Sequence, residues 1–199
     1  MSEEEEGQPE GARARRPRAD SLRNRERLLA AARALFADGG PDASLEAVAR
    51  RAGFGIGTLY RHFPTREALF LAVYQREADE LVALAERLRD HEDPLDALRL
   101  WLRASVGMVA TKKGMLAVLA PAAGAADALY ADTRPRLIDA LGALLRRAVD
   151  MGRARDDVGP EDVLRALYGF CHMGGEAHWR ASALRLLNVF VDGLRPAAP

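Results

Sequence analysis

Ser44-Leu45-Glu46-Ala47-Val48-Ala49-Arg50-Arg51-Ala52-Gly53, followed by Phe54-Gly55-Ile56-Gly57-Thr58-Leu59-Tyr60-Arg61-His62-Phe63-Pro64, is the stretch on which the fold turns. Ser44 is a residue of the N-cap type, and Leu45, Val48, Ala49 and Ala52 recur at i, i+3, i+4 and i+7. A helix of about two turns with one apolar stripe follows from that spacing. Gly53 supplies its C-terminal stop. A second short helix from Gly57 to His62 comes next and is ended by Phe63-Pro64. Two short helices joined by a glycine-bearing turn are the layout of a helix-turn-helix, whose second helix lies in the major groove of DNA.

Reading outward, Leu28, Ala32, Leu35 and Phe36 predict a first helix from about Asp20 to Asp38, halted by Gly39, Gly40 and Pro41. Thr65 caps a long helix carrying Phe70, Val73, Leu81, Leu84 and Leu88. Asp93 and Pro94 give a cap and an N1 proline to a helix bearing Leu95, Leu98, Trp101, Leu102, Ser105, Met108 and Val109. Further helical patterns cover Arg136 to Met151, Val163 to Cys171 and about Ala181 to Leu194. The last is apolar on two sides, with Leu184, Leu187 and Val191 on one and Leu186, Val189 and Phe190 on the other, which predicts burial by a second surface such as a second subunit. Alternation of β-branched residues between hairpin signals is missing. The expected fold is all-α, with about nine helices. A three-helix helix-turn-helix domain takes residues 20–66 and a larger helical domain residues 67–199. Residues 1–19, with Glu3 to Glu6, then Arg13, Arg15, Arg16 and Arg18 and hardly any large apolar side chain, are expected as a disordered arm.

Charge is the second clue. The 199 residues hold 29 basic and 29 acidic side chains, a net charge of zero, so a nucleic-acid site needs its positive charge gathered locally. Gly11 to Arg66 holds twelve Arg against Asp20, Glu26, Asp38, Asp42 and Glu46, the concentration that phosphate neutralisation requires. The single cysteine, Cys171, excludes a disulfide framework and a thiolate-rich zinc site and suits a reducing, cytoplasmic setting. The longest uncharged run, Gly114 to Ala126, is far shorter than the ~20 residues that span a bilayer. Glu3 to Glu6 stand where a secretory leader would carry positive charge, so neither export nor a membrane partner is expected. Gly174 and Gly175 interrupt the grouping of Cys171, His172, Glu176 and His178, so no metal or other cofactor is expected there. Cys171 lacks the positioned base that nucleophilic catalysis would need.

The segment from Ser44 to Gly53 and from Gly57 to Leu69, with its Tyr60-Arg61-His62-Phe63 ending and Thr65 cap, resembles the DNA-binding region of TetR-family transcriptional regulators. The likeness is continuous over about fifty residues. It implies that Ser44, Thr58, Tyr60, His62 and Arg66 grip the phosphate backbone. Gly55, Ile56, Thr58 and Arg61 would face the bases, and Gly57 belongs to the same binding set. In one departure, Gly55 stands where a serine often caps the recognition helix in the family, and glycine is a weaker cap by a few tenths of a kcal/mol. Trp101, Thr111-Lys112-Lys113-Gly114-Met115-Leu116 and Gly152 to Val158 resemble a branch of the family whose effectors are mostly unassigned. The resemblance implies an effector pocket in the fifth, sixth and eighth helices, with Trp101, Met108, Met115, Leu116, Leu119, Tyr168 and His172 as its candidates. It also implies a homodimer, a palindromic double-stranded operator, a small-molecule effector and a repressor without enzymatic activity. The residues alone leave open an all-α small-molecule binding protein or enzyme that reads no specific operator.

Overall fold

The protein, seen as a computed structural model, is described over residues 11–38, 44–119, 125–172 and 178–196. Eight helices and no strand lie among the described residues: α1 Gly11–Asp38, α2 Leu45–Arg51, α3 Ile56–His62, α4 Arg66–Leu88, α5 Pro94–Leu119, α6 Ala125–Asp150, α7 Pro160–His172 and α8 Trp179–Asp192. None is long and apolar enough to cross a membrane.

The short helices form because each has a local start and stop. The Ser44 hydroxyl accepts from the Ala47 N–H at 3.1 Å and Thr65 accepts from Ala68 N–H at 3.1 Å, each satisfying one of the orphan donors of a first turn. Gly53 takes φ +77°, the left-handed conformation in which glycine carries no Cβ penalty, and so turns the chain between α2 and α3. The Asp93 carboxylate accepts from Leu95 and Asp96 N–H at 2.9 and 3.4 Å and opens α5.

Three boundaries differ from expectation. α1 begins at Gly11, so residues 11–19 are helical rather than part of a disordered arm, and residues 1–10 of that arm lie outside the described ones. Ala12, Arg13, Ala14, Arg15 and Arg16 favour helix, and extending a nucleated helix adds one bond per residue fixed. α6 begins at Ala125, with Pro135 inside it rather than just before its start. Most consequential, α5 runs unbroken through Gly114 to Leu119, so the sixth of about nine expected helices is a continuation of the fifth. Gly114 does not stop the helix; it lets two backbones meet. A Cβ there would lie 1.9 Å from the carbonyl oxygen of Phe36 on α1.

The core is continuous from end to end. Leu28, Leu29, Ala32 and Phe36 of α1 pack with Val48, Ala49, Leu59 and Phe63 below and with α4 and α5 above. Farther on, Trp101 is fully buried and its indole N–H donates to the Leu81 carbonyl at 2.9 Å. Leu137, Leu141, Leu164, Leu167, Leu187 and Val191 close the far side.

Candidate nucleic-acid interface and effector cavity

α3 sits on the core through Leu59, fully buried, and Phe63 at its C-terminus, also buried. That anchoring turns Gly55, Gly57, Tyr60 and Arg61 outward, with Tyr60 42% exposed for a side chain that is usually more covered. Ile56, Thr58 and His62 are half-buried at its flanks, as is Ser44 at the head of α2. Arg66, exposed, is the first residue of α4, directly after its Thr65 cap. All nine residues expected to touch DNA therefore lie on the α2–α3 unit or the first turn of α4. Gly55 is the N-cap of α3 in extended conformation and gives it no side-chain hydrogen bond.

The arginines divide into two groups. Arg25 on α1 lies with its guanidinium 5.0 Å from the Phe63 ring centre, and Arg27 lies 4.6 Å from that of Phe54. These cation–π contacts brace the turn from behind. Arg33 is committed to α4, pairing with Glu77 at 3.1 Å and Glu80 at 2.6 Å. By contrast Arg50, Arg51, Arg61 and Arg66 are exposed and make no ion pair among the described residues, so their charge faces solvent. The bracing roles of Arg25 and Arg27 were hidden in the sequence because their partners lie across the helix packing, beyond any periodic signal.

A second feature lies in the larger half. A small cavity of about 20 Å³ is lined by Tyr74 and Leu81 of α4, Trp101, Ser105, Met108, Val109 and Lys112 of α5, Leu137 of α6, and Leu164, Leu167 and Tyr168 of α7. Three predicted pocket residues, Trp101, Met108 and Tyr168, line it. The others do not: Met115 is buried elsewhere in the core, Leu116 is half-buried away from the cavity, and the Leu119 side chain lies outside the described residues. His172 is exposed, with Nδ1 2.8 Å from the Tyr168 carbonyl, because one helical turn beyond Tyr168 carries it out past the core. Pocket walls come from α4, α5, α6 and α7; α5 takes in the expected fifth and sixth helices, α7 carries Tyr168 and is the helix expected as the eighth, and α4 and α6 are additional walls. A larger trough of about 720 Å³ between α4 and α6 is open to solvent, with Arg89, Arg136, Arg146 and Arg147 interleaved with Glu86, Asp139 and Asp150.

Residues 28–73 match the family described as bacterial regulatory proteins, tetR family, and residues 93–196 match the transcriptional regulator SbtR-like C-terminal domain. A TetR transcriptional regulator from Streptomyces coelicolor, SCO0520, is 40% identical with a TM-score of 0.73, over 87% of this chain and 99% of that one. The chain belongs to the TetR family. A TetR regulator from Mycobacterium vanbaalenii is 34% identical with a TM-score of 0.69, over 90% of this chain and 99% of that one. Among curated relatives, the HTH-type transcriptional regulator SAB2452 of Staphylococcus aureus is 34% identical over 79 residues, 38% of this chain; the match spans only 43% of that protein's length. TetR-family members carry the names of transcriptional regulators and not of enzymes. The division of the matches mirrors the TetR-family architecture seen here, one segment over α1–α4 and the other over α5–α8.

Proposed function

We propose that the chain is a ligand-responsive DNA-binding regulator that acts as a homodimer and represses transcription from a palindromic operator. One observation carries the reading: a short helix anchored by Leu59 and Phe63 turns Gly55, Gly57, Tyr60 and Arg61 to solvent, beside the uncompensated charges of Arg61 and Arg66. Such a helix fits the ~12 Å major groove. In this assignment Ser44, Thr58, Tyr60, His62 and Arg66 hold phosphates, Gly55, Ile56, Thr58 and Arg61 approach the bases, and Gly57 belongs to the same binding set. Ile56 offers only apolar contact, as to a thymine methyl.

Dimerisation falls to α7 and α8. Leu186 and Val189 are 44% and 70% exposed on α8, beside the edge-to-face pair of Phe170 and Phe190 at 6.0 Å, a face that water solvates poorly. Two α3 helices related by a two-fold axis would then read half-sites about 34 to 36 Å apart. The cavity beneath Trp101 is the effector site of this reading. Fluorescence anisotropy on duplexes selected from genomic DNA, set against random duplex at the same salt, tests it. Specific regulators favour their own sites by ~10³-fold or more. A ratio near one would remove the operator and favour an all-α ligand-binding protein.

A further inference from the structure

We propose that α6 carries a self-complementary face on which a second copy of this chain docks, the two α6 helices running antiparallel about a two-fold axis beside Ala143. The contact lies apart from the one assigned to α7 and α8 and goes beyond the function proposed above. Arg136, Asp139, Ala143, Arg146 and Asp150 are exposed and follow one another at steps of three and four residues, so they form a single stripe along the helix. α6 packs on α4, α5 and α7, and the stripe is one wall of the solvent-open trough between α4 and α6.

The order of charge along the stripe decides the partner. Arg136 and Asp150 each lie seven residues from Ala143, in opposite directions, about 10.5 Å by the helical rise. Asp139 and Arg146 lie four and three residues from it. Reversing the helix about Ala143 therefore exchanges each positive charge for a negative one. A two-fold axis there sets Arg136 opposite Asp150 of the second copy and Asp139 opposite its Arg146, and each pairing occurs twice, as in any isologous contact. Parallel helices in register would set like against like. Ala143 at the crossing puts no bulk between the two helices, so their axes can approach closely. Within one chain Asp139, Arg146 and Asp150 make no ion pair among the described residues, and Arg136 is shared with Asp79 of α4. Arg147 stays outside the set, half-buried with Nη2 donating to the His91 carbonyl at 2.6 Å. A small anion in the trough would meet Asp139 and Asp150, and a small cation would meet Arg136 and Arg146; a second copy meets each charge with its opposite.

Pairs this exposed are individually weak, so the contact forms in concentrated protein at low ionic strength and opens on dilution or in about 1 M salt, where the screening length is ~3 Å. Sedimentation velocity of the full-length protein over a concentration series at about 0.02 M and 1 M salt tests it. The low-salt species is expected to hold twice as many chains as the high-salt one. That doubling is expected whether the high-salt species is a monomer or a dimer, which keeps it separate from the α7–α8 assignment. Arg146→Asp alone and Asp139→Arg alone each turn two attractive pairs into two repulsive ones per contact, and each should weaken the low-salt association about tenfold or more. Mixing the two variants restores opposite charges across the axis and should recover wild-type association, which a merely structural role for these side chains would not produce. Unchanged association in either variant or no recovery in the mixture would overturn the contact. So would the lack of a low-salt step in the wild type, which would leave the trough to a different partner.

Discussion

The Thr111 hydroxyl on α5 donates to Oε1 of Glu77 on α4 at 2.9 Å, and the same carboxylate takes Arg33 of α1 at 3.1 Å. Three helices, one from the DNA-binding unit and two from the larger half, therefore converge on one acid that is 3% exposed. Burial lifts the Glu77 pKa from 4.5 to about 7, against the opposing pull of the Thr111 hydrogen bond and the Arg33 charge, with Glu80 adding to the rise.

The folded state accordingly holds the Glu77 proton more tightly than the unfolded chain does. Stability from this group is complete below about pH 4.5, declines as pH rises toward 7 and is level above it. The full span is about 3 kcal/mol at 1.36 kcal/mol per pKa unit. Urea unfolding of wild type and Glu77→Gln between pH 5 and 8 checks this. The variant should lack the decline, and parallel curves would show that Glu77 does not titrate in that window.

Gly114→Ala places a methyl group where the Phe36 carbonyl already sits, so α1 and α5 must part; a loss beyond the 1–3 kcal/mol typical of overpacking is expected. Gly107→Ala on the same helix is the control. Nothing lies within 4 Å of its added Cβ, and replacing an exposed helical glycine should stabilise by roughly 0.5–1 kcal/mol. Thermal melts of the pair should move in opposite directions.

For the interface, Arg66→Ala should weaken binding to specific and random duplex alike and reduce the salt slope by about one, the loss of one phosphate contact. Tyr60→Phe removes a hydroxyl from an exposed ring, so its affinity loss should come with an unchanged melting temperature. Titrations at several salt concentrations read the first, and circular dichroism beside anisotropy reads the second. Wild-type affinity in both variants would release these residues from the contact set.

If α8 meets a second subunit, Leu186→Glu with Val189→Glu should convert the protein to monomers with little change in helicity, since both side chains are already exposed within the single chain. Sedimentation velocity reads the outcome directly. A dimer that survives both changes would move the interface elsewhere.

Legibility in the sequence followed the range of the interaction. Ser44, Gly53 and Thr65 act on backbone within a few residues, and each does what its type and position predict. Gly114 carries no such local signal: only the approach of Phe36 reveals why a side chain is forbidden there. Nothing near Glu77 in the chain marks it out, since Thr111 and Arg33 come to it from 34 and 44 positions away. His172 shares a helix face with Tyr168 by spacing, yet α7 leaves the core between them and only Tyr168 reaches the cavity.

The backbone contact between Gly114 and Phe36 also bears on how motion would pass through the molecule. Most helix pairs are separated by a layer of side chains whose rotamers can shift and absorb a small displacement before it crosses. At this crossing that cushion is missing, and Arg180 at the head of α8 also donates to the Ala37 carbonyl. A shift of α5 near Gly114 therefore bears directly on the α1 backbone at Phe36, as between meshed gear teeth.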